Sequence, residues 1–319
     1  MRPRPAYVLA ALVALAVPSL RAQESVPQRA VLVTGASTGI GRKTAELLAS
    51  RGFFVYAGAR KDTDMAELDA IENIKAIRLD VTIQEQIDAA VETVRAEGRG
   101  LFGLINNAGV AVIAPLIEAT EEEMRFQMDV NVMGPYRVTR AFAPLILESR
   151  GRISTTGSLS GFVTWPLGGP YTMSKHAVEA YSDVLAAEMA RFGVKVSVIE
   201  PGNYNSEIFP NLLRRMEEGG YSTDGSLFKD QLDGMLGRVE AGLEEPEPDA
   251  VAEAFFHAMS DDDPKAHYLV VPIQREAEVT IRAALRRLVQ INEGHDFSYS
   301  RDELVRMLDE ALAGGGTGR

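Results

Sequence analysis

"AVLVTGASTGIGRKTAELLAS", residues 30–50, decides the fold. Ala30 to Val33 form an apolar run without alternation, the pattern of a strand buried on both faces. Gly35, Gly39 and Gly41 follow, and a segment of helical period then runs on to a closing Gly52. A buried strand that turns through glycines into a helix opens a βαβ unit. Glycines remove Cβ atoms where a pyrophosphate approaches the backbone, and a helix start offers it free N–H groups and a positive dipole end. The G-x-x-x-G-x-G spacing differs from the commoner G-x-G-x-x-G, and three glycines can also serve tight packing alone. The βαβ context favours a nucleotide.

The same rhythm continues outward. "FFVYAGAR" (53–60), "IKAIRLDV" (74–81), "LFGLINNAG" (101–109), "GRISTTGS" (151–158), "VKVSVIEPG" (194–202) and "AHYLVVP" (266–272) read as further strands. Helical segments separate them, among them one long stretch over 120–149 and a helix after Pro170. The expectation is an α/β class fold: a single doubly wound, Rossmann-like domain over 28–272, with a parallel sheet of about seven strands. Residues 203–248 are rich in Leu, Met, Phe, Tyr and Gly and follow the sixth strand, so they are expected to form a substrate-binding lobe at the carboxyl edge of the sheet. Residues 273–319 read as a helical C-terminal extension with a flexible "GGGTGR" end.

Composition narrows the function. The chain has 319 residues, 46% hydrophobic and 24% charged, which suits a globular domain with a large core. A net charge of −12 argues against a nucleic-acid surface and against an anionic membrane face. The absence of cysteine excludes disulfides, thiolate chemistry and Cys-based zinc sites. His176, His257, His267 and His295 show no metal-ligand spacing and read as ordinary surface or core residues, so no metal is expected. The opening "MRPRPAYVLAALVALAVPSLRAQE" has a basic start, an apolar run from Ala6 to Val17 and a small residue, Ala22, before Gln23. Residues 1–27 are expected to be a secretory signal peptide, an N-terminal membrane anchor, or the result of a start codon assigned too early.

Two further patterns carry chemistry. The second strand ends in Ala59, Arg60 and Lys61, two cations where a carboxylate would bind the ribose 2′-OH of NAD. They suit the 2′-phosphate of NADP, so NADP(H) is the preferred cofactor and NAD(H) a possible one; Asp62 and Asp64 follow closely and could neutralise them. Asp80, closing the third strand, could accept a hydrogen bond from the adenine amino group. In "GGPYTMSKHAVEAY" (168–181), Tyr171 and Lys175 share one helical face at i, i+4, with Ser158 upstream. Taken alone they are a packing tyrosine beside a solvated lysine, or an acid/base pair. A phenol of pKa about 10 needs a neighbouring cation to act near neutrality.

Together, Thr34-Gly35-x-x-x-Gly39-Ile40-Gly41, "NNAG" at 106–109, Asn131 in "NVMG", Ser158, Tyr171-x-x-x-Lys175 and Pro201-Gly202 resemble the short-chain dehydrogenase/reductase family. The run "HAVEAYSDVLAAEMARFGVKVSVIEPG" (176–202) resembles the branch acting on steroids, retinoids and other lipophilic carbonyls. The resemblance implies an oxidoreductase that interconverts a small-molecule ketone or aldehyde with its alcohol. It implies Tyr171 as the acid or base, Lys175 as the cation that tunes it and holds the nicotinamide ribose, Ser158 on the substrate oxygen, and Asn131 anchoring a water of the proton relay. Cofactor contacts are expected from Gly35, Ser37, Thr38, Gly39, Ile40, Gly41, Arg60, Lys61, Asp80, Val81, Asn107, Ala108, Gly109, Tyr171, Lys175, Pro201, Gly202 and Ser206. Ser206 stands where the family often has threonine. Substrate contacts are expected from Ser158, Trp165, Tyr171, Tyr204 and Phe209. A homo-dimer or homo-tetramer is the family's habit. The competing reading is a non-catalytic nucleotide-binding or sensing protein on the same fold. A hydrolase elbow is excluded, because Leu159 occupies the centre of "GSLSG". NADP chemistry suggests a domain facing the cytoplasm, and an anchor would reconcile this with the N-terminal segment.

Overall fold

Strands β1 (Ala30–Val33), β2 (Phe54–Ala59), β3 (Ile74–Arg78), β4 (Gly103–Asn106), β5 (Arg152–Thr156), β6 (Lys195–Pro201) and β7 (His267–Val270) pair in parallel, in the order β3-β2-β1-β4-β5-β6-β7. The computed structural model describes residues 28–241 and 245–314, so the expectations for residues 1–27 lie outside the described residues. The strand order reverses between β1 and β4, and ligands of such sheets bind in the crevice that opens there. Val33 pairs with Ile105, so the chain leaves β1 at Thr34 just where β4 ends at Asn106.

The helices are α1 (Gly39–Ser50), α2 (Asp62–Asp69), α3 (Gln84–Ala96), α4 (Glu121–Met128), α5 (Gly134–Ser149), α6 (Gly169–Ala190), α7 (Ile208–Glu218), α8 (Lys229–Glu240), α9 (Asp249–Ser260), α10 (Gln274–Asn292) and α11 (Arg301–Ala313). Successive strand residues point to opposite faces, so the apolar runs feed two cores. Leu32, Tyr56, Leu104 and Ile153 meet Ile87 of α3 and Phe142 of α5 on one face. Val31, Val55, Ile105 and Ile199 meet Leu48 of α1 and Phe255 of α9 on the other. Burying one such side chain stabilises the fold by roughly 1.5–3 kcal/mol, which is why these strands do not alternate with polar residues.

The long helical stretch expected over 120–149 is present, but not as one regular α-helix. A π-helical turn, Asp129–Met133, separates α4 from α5. Pro135 has no N–H to give the carbonyl four residues back, that of Asn131, so the α-helical ladder cannot run on unchanged. The break coincides with the one residue of this stretch expected to take part in chemistry.

After β6 the chain forms α7 and α8, whose Leu212 and Leu232 bury themselves against Ile113 and Leu167, with Trp165, Phe209, Met216 and Phe228 around them. Beyond β7, the start of α10 is tied back to this region: Glu276 accepts hydrogen bonds from Asn203 Nδ2 at 2.8 Å and Asn203 N at 3.2 Å. Helix α11 buries none of its residues and is held at its start by a capping box between Ser300 and Glu303. Among the described residues no helix is long and apolar enough to cross a membrane.

Candidate active site

Thr34 and Asn107 tie the crevice together. Thr34 Oγ1 accepts from the backbone N–H groups of Asn107 at 3.0 Å and Ala108 at 3.1 Å. Asn107 Nδ2 donates to the carbonyls of Thr34 and Gly35, both at 3.1 Å, and its Oδ1 accepts from Thr156 Oγ1 at 3.2 Å. The ends of β1, β4 and β5 are thereby fixed to one another. The glycines divide their roles. A Cβ on Gly41 would lie 2.2 Å from Gly35 O and 2.3 Å from Asn107 Nδ2, and one on Gly35 would lie 2.8 Å from Ala108 Cα. These two glycines serve the packing of the turn. Gly39, at φ +53°, instead faces Ser206, which a Cβ would approach to 3.4 Å. It therefore lines the gap between the glycine turn and the segment after Pro201-Gly202. Thr38 precedes α1 in extended conformation and no side chain caps the helix, so its first N–H groups remain for an anion.

At the far end of the crevice, Arg60 is largely exposed and lies 3.7 Å from Asp80 Oδ2. Asp80 Oδ1 is committed to Thr82, accepting from its N–H at 2.9 Å and its hydroxyl at 2.6 Å. Asp62, which could have neutralised the cations, is engaged by Arg78. Lys61 precedes α2 and makes no ion pair among the described residues. Two cations thus stand beside the edge of β2 with only a loose carboxylate partner. Val81 is buried beside them and would meet a Cβ on Gly134 at 2.7 Å, which locks the start of α5 to this loop.

The other end gathers the residues expected to carry proton chemistry. Helix α6 starts at Gly169-Pro170, and Pro suits a first turn that needs no N–H donor. Two residues on, Tyr171 is followed one turn later by Lys175, whose Nζ lies 5.7 Å from the centre of the Tyr171 ring. Lys175 is buried and donates to Thr156 O at 2.7 Å. Burial lowers the Lys175 ammonium to about 8, against the opposing pull of Glu179. Burial pushes the Tyr171 phenol up, and its hydrogen bond with Ser158 pulls it back. Ser158 Oγ also accepts from Ser160 N at 3.1 Å, capping the 3₁₀ turn Leu159–Gly161. Ser158 therefore has both the turn-capping role open to any serine there and contact with the phenol.

Asn131 is a clamp. Its Oδ1 accepts from Val110 N at 2.9 Å, and its Nδ2 donates to Val110 O at 3.0 Å and to Ser174 Oγ at 3.1 Å. Ser174 Oγ in turn donates to Tyr171 O at 2.7 Å. Both amide hydrogens are used, which leaves only the second lone pair of Oδ1 for a water.

The expected substrate residues separate. Trp165 and Phe209 share one apolar cluster, and Trp165 Nε1 donates to Ser160 Oγ at 3.3 Å, close to Ser158. Tyr204 does not join them; it packs with Phe255, Val251 and Ile199 beneath α9, because the chain after Gly202 turns toward that core. A cavity of ≈ 500 Å³ lies between α4 and α7, lined by Val112, Phe126, Leu212, Arg215, Met216 and Tyr221, among others. It contains none of Ser158, Tyr171 or Lys175.

A family model described as short chain dehydrogenase matches residues 29–217. The chain belongs to the short-chain dehydrogenase family. Mitochondrial D-beta-hydroxybutyrate dehydrogenase of Rattus norvegicus is 39% identical over 186 residues, covering 55% of this chain and 54% of that protein. The chain thus spans about half the length of the hydroxybutyrate dehydrogenases it matches. Retinol dehydrogenase 5 of Mus musculus is 32% identical over 265 residues, covering 78% of this chain and 83% of that protein, so the similarity reaches the retinoid-like branch. Among solved structures, a short-chain dehydrogenase/reductase from Burkholderia phymatum in complex with NAD has a TM-score of 0.71 at 23% identity, covering 85% of this chain and 98% of that one. An actinorhodin polyketide ketoreductase with NADPH has a TM-score of 0.64 at 26% identity, covering 76% and 95%.

In this short-chain dehydrogenase one group of polar residues escapes sequence reasoning. Glu179, Glu200 and His267 converge behind Lys175, although His267 reads from the sequence as an ordinary histidine. Hydrogen bonding to Glu200 raises the His267 imidazole to about 9, and burial raises the Glu179 carboxyl. The available signal was Glu179 itself, one turn past Lys175 on the same helical face.

Proposed function

We propose that this protein is an NADP(H)-preferring oxidoreductase acting on a lipophilic ketone or aldehyde, or on the corresponding alcohol. The observation that carries the reading is the gathering of Ser158, Tyr171 and Lys175, on two separate elements, around one phenol. The crevice fits a dinucleotide: an uncapped helix start, Gly39 facing Ser206, and Arg60 and Lys61 at the ribose end. Gly39 and the start of α1 would hold the pyrophosphate, Arg60 and Lys61 the 2′-phosphate, Lys175 the nicotinamide ribose and Ser206 the nicotinamide amide.

The nicotinamide supplies or accepts the hydride at the carbonyl carbon. In reduction, Tyr171 gives its phenolic proton to the carbonyl oxygen as the C–O double bond opens. Its raised pKa keeps the phenol loaded with that proton at neutral pH. Ser158 donates its hydroxyl hydrogen to the same oxygen, stabilising the developing charge. Lys175 then favours the phenolate that remains, and the proton returns to Tyr171 from solvent. Alcohol oxidation runs the same steps in reverse. Trp165 and Phe209 offer an apolar wall, which supports a lipophilic substrate. The catalytic domain is proposed to act on the cytoplasmic side, as a homo-dimer or homo-tetramer.

The test is turnover of NADPH and NADH with a panel of lipophilic ketones, aldehydes and alcohols, in wild type and Tyr171→Phe. The expected outcome is reduction with NADPH, lowered about 10²–10⁴-fold in the variant with cofactor binding retained. Cofactor binding without turnover of any substrate would leave the non-catalytic nucleotide-binding reading standing instead.

A further inference from the structure

Glu179 of α6, Glu200 of β6 and His267 of β7 bring a carboxylate oxygen each and one imidazole nitrogen within 4.8 Å of one another. Both carboxyl groups are more than nine-tenths buried, with Glu179 8% and Glu200 1% exposed. Yet neither oxygen of Glu179 nor Oε2 of Glu200 has a hydrogen-bond partner. Carboxyl oxygens buried without partners are costly, and the three here, with one imidazole beside them, form a donor set that a cation would satisfy.

The imidazole is oriented for one. Its Nδ1 lies 2.7 Å from Glu200 Oε1 and 3.7 Å from Glu179 Oε2, while its Nε2 lies 2.9 Å from Asp183 Oδ1. A metal-ligating histidine commonly donates its second ring N–H to a carboxylate, which fixes the tautomer and aims the other nitrogen at the ion. Asp183 is placed to receive that hydrogen, and the ion would take the place of the Nδ1 proton that faces Glu200.

We propose that Glu179, Glu200 and His267 bind one divalent transition-metal ion, with Asp183 orienting the imidazole. One imidazole with two carboxylates suits Zn²⁺ first and Mn²⁺ second. Metal–ligand bonds of about 2.0–2.2 Å in a tetrahedron set neighbouring ligand atoms roughly 3.4 Å apart. The Nδ1 to Glu200 separation therefore opens by less than about 1 Å on metal entry, the Nδ1 to Glu179 separation of 3.7 Å already suits it, and the two glutamates start within 4.8 Å. The half-exposed His267 ring gives access from solvent, the two glutamates close the floor, and water takes the fourth position. The ion would join α6 to β6 and β7 one turn beyond Lys175. It would also stiffen the loop of Ser158, because Glu179 lies against Gly157 and Gly161, where a Cβ would come within 2.7 and 2.5 Å of its Oε1.

The site takes no part in the proposed steps, although Glu179 lies one turn from Lys175, and it is tested without turnover. The full chain is stripped with chelator and dialysed against Zn²⁺ or Mn²⁺, and bound metal is counted by mass spectrometry. The expected result is one Zn²⁺ per chain, with affinity falling about 10–100-fold in Asp183→Asn and further in Glu200→Gln and His267→Ala. Failure of the wild type to hold stoichiometric metal overturns the proposal, as does equal affinity in Glu200→Gln and His267→Ala. Should those variants not fold, nitrogen NMR of His267 in the wild type decides. A proton on Nε2 alone, with Nδ1 shifted by Zn²⁺, supports the site. Two protonated ring nitrogens that ignore added metal overturn it, and the cluster is then neutralised by protons.

Discussion

Lys175 Nζ donates to the carbonyl of Thr156 at 2.7 Å, and the hydroxyl of the same threonine donates to Asn107 Oδ1 at 3.2 Å. One residue at the end of β5 therefore sets the lysine of the proposed proton machinery against the asparagine that braces the crevice between β1 and β4.

That lysine is held at a cost in stability. It is buried and lowered to about 8, whereas a free lysine titrates at 10.5. Below pH 8 both folded and unfolded chains carry the proton and stability is flat on this account. Between about 8 and 10.5 the unfolded chain binds the proton that the fold has shed, so stability rises with pH. The full penalty at pH 7 is on the order of 3 kcal/mol. Lys175→Met should remove turnover yet unfold about 1–2 kcal/mol later in urea at pH 7, the loss of the Thr156 hydrogen bond offsetting part of the gain. The gap between variant and wild type should shrink by pH 10. A gap unchanged with pH would show that burial of the charge is not its origin.

Asn131→Ala should act through structure as well as chemistry. It leaves the N–H of Val110 without its partner at a cost of about 1–3 kcal/mol, while Val110 O keeps the hydrogen bond that Gln127 Nε2 donates at 3.0 Å. We expect a lower melting temperature and faster amide exchange at Val110. Unchanged exchange there would mean that the clamp contributes nothing to the fold.

Gly41→Ala should abolish cofactor binding by distorting the turn, since its Cβ has no room between Gly35 O and Asn107 Nδ2. Fluorescence titration with NADPH measures this. Gly39→Ala, with its Cβ 3.4 Å from Ser206 but at φ +53°, should be milder in stability and still weaken the pyrophosphate contact.

Arg60→Ala tests the cofactor preference. Loss of a charge-assisted contact to the 2′-phosphate should raise KM for NADPH about tenfold or more and leave NADH nearly unaffected. Equal use of both cofactors by the wild type would refute the reading of the second strand.

Much of this protein is written locally. The strand–glycine turn–helix at 30–50, the non-alternating strands and the i, i+4 placement of Tyr171 and Lys175 follow from periods of two and 3.6 residues, which a chain carries in any short window. The tail helices are legible for the same reason: 275–291 and 301–313 keep a helical period, and α10 and α11 form there. What the sequence could not decide depends on contacts between distant segments. The π-helical turn at Asn131 accompanies a clamp onto Val110, and Tyr204 lies beneath α9 because the chain after β6 turns that way. Glu200 and His267 meet because β6 and β7 pair with Val198 opposite His267. Strand register is a property of the assembled sheet, and no local period encodes it; only the folded chain could turn two glutamates and an ordinary-looking histidine into a cluster.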